Sequence, residues 1–199
     1  MTDLLALAAD LAKMTIALFI VVDPLGSVPI FIGLTKDMDM SQRKKTYQLA
    51  TITGLILLTF FSLVGQNILV LFGISLDSFM IAGGILLLIV AVRLLIMGGW
   101  REQAAVSESV GAVPIGCPLL VGPGAITTSI LNIQSYGILA TLLSVLLTFI
   151  IVWLILRFID PIYRFLGKNG SLVITRVMAL LIASIAVQYM LQGIKSGLL

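Results

Sequence analysis

The sequence predicts an all-α membrane protein of six transmembrane helices. They form two inverted-topology three-helix repeats, and the first and fourth helices are discontinuous. Three observations predict this. The chain has 199 residues, of which 60% are hydrophobic and only 11% charged, whereas a soluble domain carries about 25% charged residues. Six apolar segments each approach the roughly 20 helical residues needed to cross a hydrocarbon core of about 30 Å. Two of the six are interrupted by runs of proline and glycine, Asp23-Pro24-Leu25-Gly26-Ser27-Val28-Pro29 and Pro118-Leu119-Leu120-Val121-Gly122-Pro123-Gly124.

The first segment runs from about Leu7 to Leu34, broken at 23–29. The second, Leu49 to Phe72, carries no charge, and the preceding stretch 35–46 reads as a basic loop. The third runs from Leu76 to Met97, with Asp77-Ser78 suited to cap its start. The fourth runs from Val113 to Gln134, broken at 118–124. The fifth covers Ile138 to Phe158 and the sixth Leu172 to Ile194. The whole chain reads as a single transmembrane domain. Its first repeat is about 1–98, its second about 112–199, and a cytoplasmic linker at about 99–111 joins them.

Charge placement orients the chain. With six spans, Lys36, Arg43, Lys44, Lys45, Arg93, Arg101, Arg157, Arg164, Lys168 and Arg176 fall on one side, and only Lys13 and Lys195 on the other. The positive-inside rule then puts the basic loops in the cytoplasm and both termini outside a cell membrane. Tyr47, Trp100, Trp153 and Tyr163 suit the inner interface, Tyr136 and Tyr189 the outer one. No basic residue lies between Met1 and Leu11, so no cleaved signal is expected. The basic loops suit lipid contact rather than nucleic acid.

The halves correspond. Pro24 and Pro29 recur as Pro118 and Pro123, 94 residues on, and the same offset carries Asp77 to Ser171. Three spans per half is an odd number, so the second half enters the membrane in the opposite sense, as in inverted-repeat transporters. A proline removes a backbone bond and clashes with the preceding turn. Irregular backbone at membrane depth is tolerated only where it is buried in protein or lines a watery cavity. Matched breaks in two halves therefore point to a binding site at the midplane.

The candidate site residues are Asp23, Pro24, Gly26 and Ser27 at the first break, and Gly122, Pro123, Gly124, Thr127 and Thr128 at the second. Asp23 is the only acidic residue deep in a span. Two readings stand for it: a cap for the half-helix that starts at Pro24, or a counter-ion for a substrate ammonium and a proton carrier. Gly122-Pro123-Gly124 reads as a turn opening a helix, whose free N–H groups suit a carboxylate. Ser27, Thr127, Thr128 and Ser129 add hydroxyls, which either face a ligand or bond back to their own helices. Gly83-Gly84 and Gly98-Gly99 suit close helix contacts.

One cysteine, Cys117, and no histidine exclude an intramolecular disulfide, a CxxC site and the commonest metal ligand. No cofactor, no metal and no enzymatic function are expected. The residues alone support a small transporter with a midplane site, with an exporter or a passive channel as the alternatives.

At the two broken stretches, extended to Ile30-Phe31 and to Ala125-Ile126-Thr127-Thr128, the sequence resembles the MarC family of six-span membrane proteins, which includes SnatA-like small neutral amino-acid transporters. The resemblance covers essentially the whole chain in length, span order and motif position. Many members carry Asn where this chain has Asp23. The resemblance implies uptake of glycine, alanine and similar small neutral amino acids, coupled to protons with sodium as the alternative ion. The family name comes from an antibiotic-resistance locus and so implies drug export as an alternative; an exporter of drugs or amino acids would share the architecture and differ in direction.

Overall fold

The structure, a computed structural model, describes residues 2–97 and 120–197. The described residues form seven helices: α1 (Thr2–Val22), α2 (Val28–Leu34), α3 (Met40–Leu71), α4 (Leu76–Met97), α5 (Pro123–Tyr136), α6 (Ile138–Arg157) and α7 (Ile159–Gly197). The expected linker at 99–111, Gly98-Gly99, Trp100, Cys117, Pro118 and the rest of residues 113–119 of the expected fourth span lie outside the described residues.

Five helical stretches are long and apolar enough to cross a bilayer: Leu5–Val22, Met40–Leu71, Leu76–Ile96, Ile138–Arg157 and Asn169–Gly197. Only 22–33% of the apolar window that marks each stretch is buried inside the protein. Exposed apolar side chains run along whole helix faces, as at Ile52, Ile56, Phe60 and Leu63 on α3 and Leu143, Leu147, Ile150 and Leu154 on α6. Apolar surface so extensive needs lipid rather than water to cover it. The chain is thus a multi-pass integral membrane protein.

The first expected span is broken where proline and glycine required it. α1 ends at Val22, a turn occupies 23–27, and α2 begins at Val28 with Pro29 in its first turn. The 35–46 stretch differs from its expectation. It is not a loop throughout, because α3 starts at Met40, nine residues before Leu49. Asp39 accepts from the N–H groups of Ser41 and Gln42, while Gln42 Oε1 accepts from the Asp39 N–H, a complete capping box. The basic residues Arg43, Lys44 and Lys45 therefore stand on a helix. The α4 cap also differs: Ser75 Oγ, not Asp77 or Ser78, accepts from the Ser78 N–H at 3.1 Å. A helical segment from Ile159 precedes the last span and is separated from it by an interruption at Gly167 (φ 61°, ψ −174°), a backbone state that glycine alone adopts readily. The long apolar stretch itself begins at Asn169, close to the expected Leu172.

α5 sits at the centre of the bundle and packs against α1, α3, α4 and α6. Its residues Gly124, Ala125 and Thr127 through Asn132 are all buried. The most intimate pair is α4 with α7. There a Cβ at Gly84 would lie 2.7 Å from the Ala186 carbonyl oxygen, and one at Gly193 would lie 2.6 Å from that of Asp77. Small residues admit this backbone-to-backbone approach, the usual basis of helix association in lipid. A core cluster of Leu18, Val22, Val28, Phe31, Leu120, Val121, Ala125 and Phe149 joins both broken stretches.

Candidate functional site

At the first break the backbone turns through Asp23, whose φ of 47° lies in the left-handed region. Aspartate tolerates that state better than most residues. Its side chain helps hold the turn: the Gly26 N–H donates to Asp23 Oδ1 at 3.0 Å, and the Ser27 N–H to the Asp23 carbonyl at 3.2 Å. Asp23 thus caps a turn, whereas α2 itself starts after Ser27, whose carbonyl accepts from Ile30 and Phe31. Pro24 has no N–H to give the Ile20 carbonyl, and the Gly26 N–H goes to a side chain rather than to Val22. The break therefore releases carbonyl acceptors at the end of α1. Asp23 is only 7% exposed and Ser27 only 4%, while Pro24 and Gly26 are also buried. A side chain on Gly26 would displace the Asp23 carboxylate that bonds its N–H.

At the second break the described backbone runs from Leu120 into α5. Gly122 is the N-cap residue, and its carbonyl accepts from Ala125 and Ile126. Pro123 contributes no N–H, so Gly124 holds the first-turn donor with no partner among the described residues. Gly122 is half-buried and Pro123 exposed. The two glycines differ. No described residue lies within 4 Å of a Cβ built on Gly122, whereas one on Gly124 would overlap Leu87 and lie 3.0 Å from Val21 Cγ1. Gly124 thus serves the packing of α5 on α4 and α1, whereas no described residue crowds the backbone at Gly122.

The hydroxyls are mostly engaged within α5. Thr127 Oγ1 donates to the Pro123 carbonyl at 2.9 Å, Thr128 Oγ1 to that of Gly124 at 2.8 Å, and Ser129 Oγ to that of Ile126 at 2.8 Å. Thr128 also accepts from Tyr189 Oη at 3.0 Å, a tie between α5 and α7. The end of α1 before the turn at 23–27 and the start of α5 meet through Val21 and Gly124 and through a shared core cluster. No hydrogen bond or ion pair joins Asp23 to residues 122–128 among the described residues.

Two polar features escaped the sequence reading. One is a network between the end of α2 and the starts of α3 and α7. Thr35 Oγ1 donates to the Phe31 carbonyl and is 2.7 Å from Tyr47 Oη; Arg43 Nη2 donates to Tyr47 Oη at 3.2 Å and to Asp160 Oδ1 at 2.9 Å. Tyr47 is therefore a buried link in this network rather than an aromatic at the lipid interface. The pair Arg43–Asp160 borders a recess of about 330 Å³ at that end of the bundle. The other feature is Asn132, buried one turn beyond Thr128 on α5. Its four-residue spacing from Thr128 was visible; the partner helices that bury it were not.

No solved structure matches the chain. Among curated relatives, the UPF0056 membrane protein of Archaeoglobus fulgidus is 36% identical over 192 residues, covering 91% of this chain and 90% of the relative. The UPF0056 membrane protein YhcE of Escherichia coli (strain K12) is 36% identical over 196 residues, covering 92% and 91%. A UPF0056 membrane protein of Pyrococcus abyssi is 35% identical over 190 residues, covering 94% of each. Residues 9–198 match the family described as MarC family integral membrane protein. The chain belongs to the MarC family.

Proposed function

We propose that the chain is a secondary transporter of small neutral amino acids, glycine and alanine foremost, coupled to protons and working by alternating access around the two helix breaks. The observation that carries this reading is the position of α5. It is rich in hydroxyls, it opens at Pro123 after the non-helical residues 120–122, and it is buried in the centre of an otherwise apolar bundle. Polar groups are expensive in a membrane interior and mark substrate pathways.

In this reading the substrate carboxylate sits beside Gly122, where no described residue crowds the backbone, against the Gly124 N–H and the positive end of α5. Its ammonium meets the carbonyls released at the end of α1, with Asp23 as counter-ion and proton carrier. Pro24, Gly26 and Ser27 shape the first wall, and Pro123, Thr127 and Thr128 the second. The inverted repeat is supported by the way helices pair. Under the exchange of α1 with α5, α3 with α6 and α4 with α7, α3 packs on α6, α4 on α7, and α1 on α6 as α5 does on α3. Pro29 and Pro123 likewise each stand in the first turn of a helix that follows a break. Six crossings result when α1 with α2 counts as one broken span and α5 as half of another. Both termini then face outward across the cell membrane, and the Arg43–Asp160 pair closes the cytoplasmic end.

The test is uptake of labelled glycine and alanine into proteoliposomes with an imposed inward proton gradient. Saturable accumulation supports the reading. No uptake under any gradient, with correctly inserted protein, overturns it in favour of export, and non-saturating flux overturns it in favour of a channel.

A further inference from the structure

Gly124, Thr128 and Asn132 stand at four-residue intervals on α5 and so share one helix face. Thr128 bonds to the Gly124 carbonyl and accepts from Tyr189. Asn132 continues this polar line toward the end of the bundle that carries the termini. It is 8% exposed, and its Nδ2 has no hydrogen-bond partner among the described residues. A buried amide donor left unbonded is costly, and each such group in a native protein calls for an explanation. Here Asn132 lines a recess of about 280 Å³, together with Lys13, Met14, Met80, Tyr189 and Gln192.

We propose that this recess is a second substrate subsite, which receives a small neutral amino acid before it reaches the breaks, with Asn132 Nδ2 as the buried donor to its carboxylate. The inference rests on the amino-acid reading above. The wall chemistry is that of a zwitterion. Asn132 offers a donor without a partner. Tyr189 gives its O–H to Thr128, so its oxygen remains an acceptor for an ammonium. Lys13 at the rim bonds to Asp10 at 3.0 Å, and an ammonium has three donors, so two remain to draw a carboxylate inward. Met14 and Met80 supply an apolar wall for a short side chain. The volume lies near the lower end of the roughly 300–1,000 Å³ of small-molecule sites, which suits a ligand of few atoms. Tyr189 then links occupancy of the subsite to Thr128 and, through it, to the backbone at the second break.

The experiment compares wild-type protein with Asn132→Asp and Asn132→Ala in proteoliposomes, with detergent melting temperatures to establish folding. The readouts are KM for labelled glycine and the relative inhibition by glycine and by glycinamide, which lacks the carboxylate. Asn132→Asp keeps the shape but replaces the donor with a negative acceptor, so KM should rise about tenfold or more. Asn132→Ala should raise KM severalfold and narrow the preference for glycine over glycinamide, a change that a purely structural role would not produce. Asn132→Ser replaces Asn132→Asp if the latter does not fold, with the expectation stated for alanine. Wild-type KM and wild-type preference in folded variants overturn the subsite while leaving the transporter reading intact. Absence of amino-acid uptake by wild-type protein overturns both.

Discussion

Gly122 and Gly124 lie two residues apart, yet the structure assigns them opposite responses to an added side chain. A Cβ on Gly124 would overlap Leu87, lying 2.8 Å from its Cγ, and would come within 3.0 Å of Val21 Cγ1. Leu87 is 3% exposed and has little room to retreat. Gly124→Ala therefore overpacks the contact of α5 with α4 and α1, at a cost of about 1–3 kcal/mol. Gly122 has φ −83° and ψ 174°, extended backbone that any residue adopts, and no described residue within 4 Å of its Cβ position. Gly122→Ala should leave stability within about 0.5 kcal/mol of wild type, or raise it slightly by restricting the unfolded chain. Gly122→Leu should also fold, but it would fill the space assigned to the substrate carboxylate. The assay is thermal unfolding in detergent alongside glycine uptake. The expected pattern is a wild-type melting temperature with uptake lost for Gly122→Leu, and a lowered melting temperature for Gly124→Ala. Wild-type uptake by folded Gly122→Leu would refute the placement of the substrate. Wild-type stability of Gly124→Ala would refute the packing argument.

Leu87→Ala should relieve the overpacking of Gly124→Ala: the double variant should be more stable than the sum of the single losses by about 0.5–3 kcal/mol, measured as a double-mutant cycle on denaturation. Asp23→Asn keeps the oxygen that accepts from Gly26, so the turn should survive while proton-driven accumulation of glycine is lost and exchange down its own gradient persists; unchanged proton-coupled uptake would remove Asp23 as the proton carrier. Asp160→Asn should weaken closure at the Arg43 end. In a Cys117→Ser background, a Thr35→Cys probe should then react severalfold faster with a water-soluble maleimide, and an unchanged rate would mean that the pair does not close that end.

What the sequence revealed and what it hid follow from range. Pro24, Gly26 and Pro29 break a helix through local sterics, so the break between α1 and α2 was legible without a structure. The start of α3 carries a local signal, the capping-box spacing of Asp39 and Gln42, but the run of charges after them reads as a loop, and the loop expectation is the one the structure corrects. The break at Gly167 and the helical segment before it carried a weaker signal, because Asp160-Pro161 suits a helix start and a turn alike. Tertiary relations left no local trace. Nothing near Arg43 names Asp160 as its partner, and nothing near Gly124 distinguishes a glycine needed for Leu87 from one at 122 that no described residue crowds. The hydroxyls of Thr127 and Thr128 show the same division. Their bonds back to Pro123 and Gly124 follow from helix geometry, whereas the bond from Tyr189 to Thr128 depends on how α7 docks on α5.

The central claim is that these breaks carry small neutral amino acids by a coupled, alternating cycle. The most direct measurement is accumulation of labelled glycine in proteoliposomes under an inward proton gradient, repeated with a protonophore and with vesicles preloaded with unlabelled alanine. A coupled carrier should give saturable accumulation above equilibrium, its collapse with the protonophore, and faster entry of label into preloaded vesicles. Flux that neither saturates nor responds to preloading would contradict that claim.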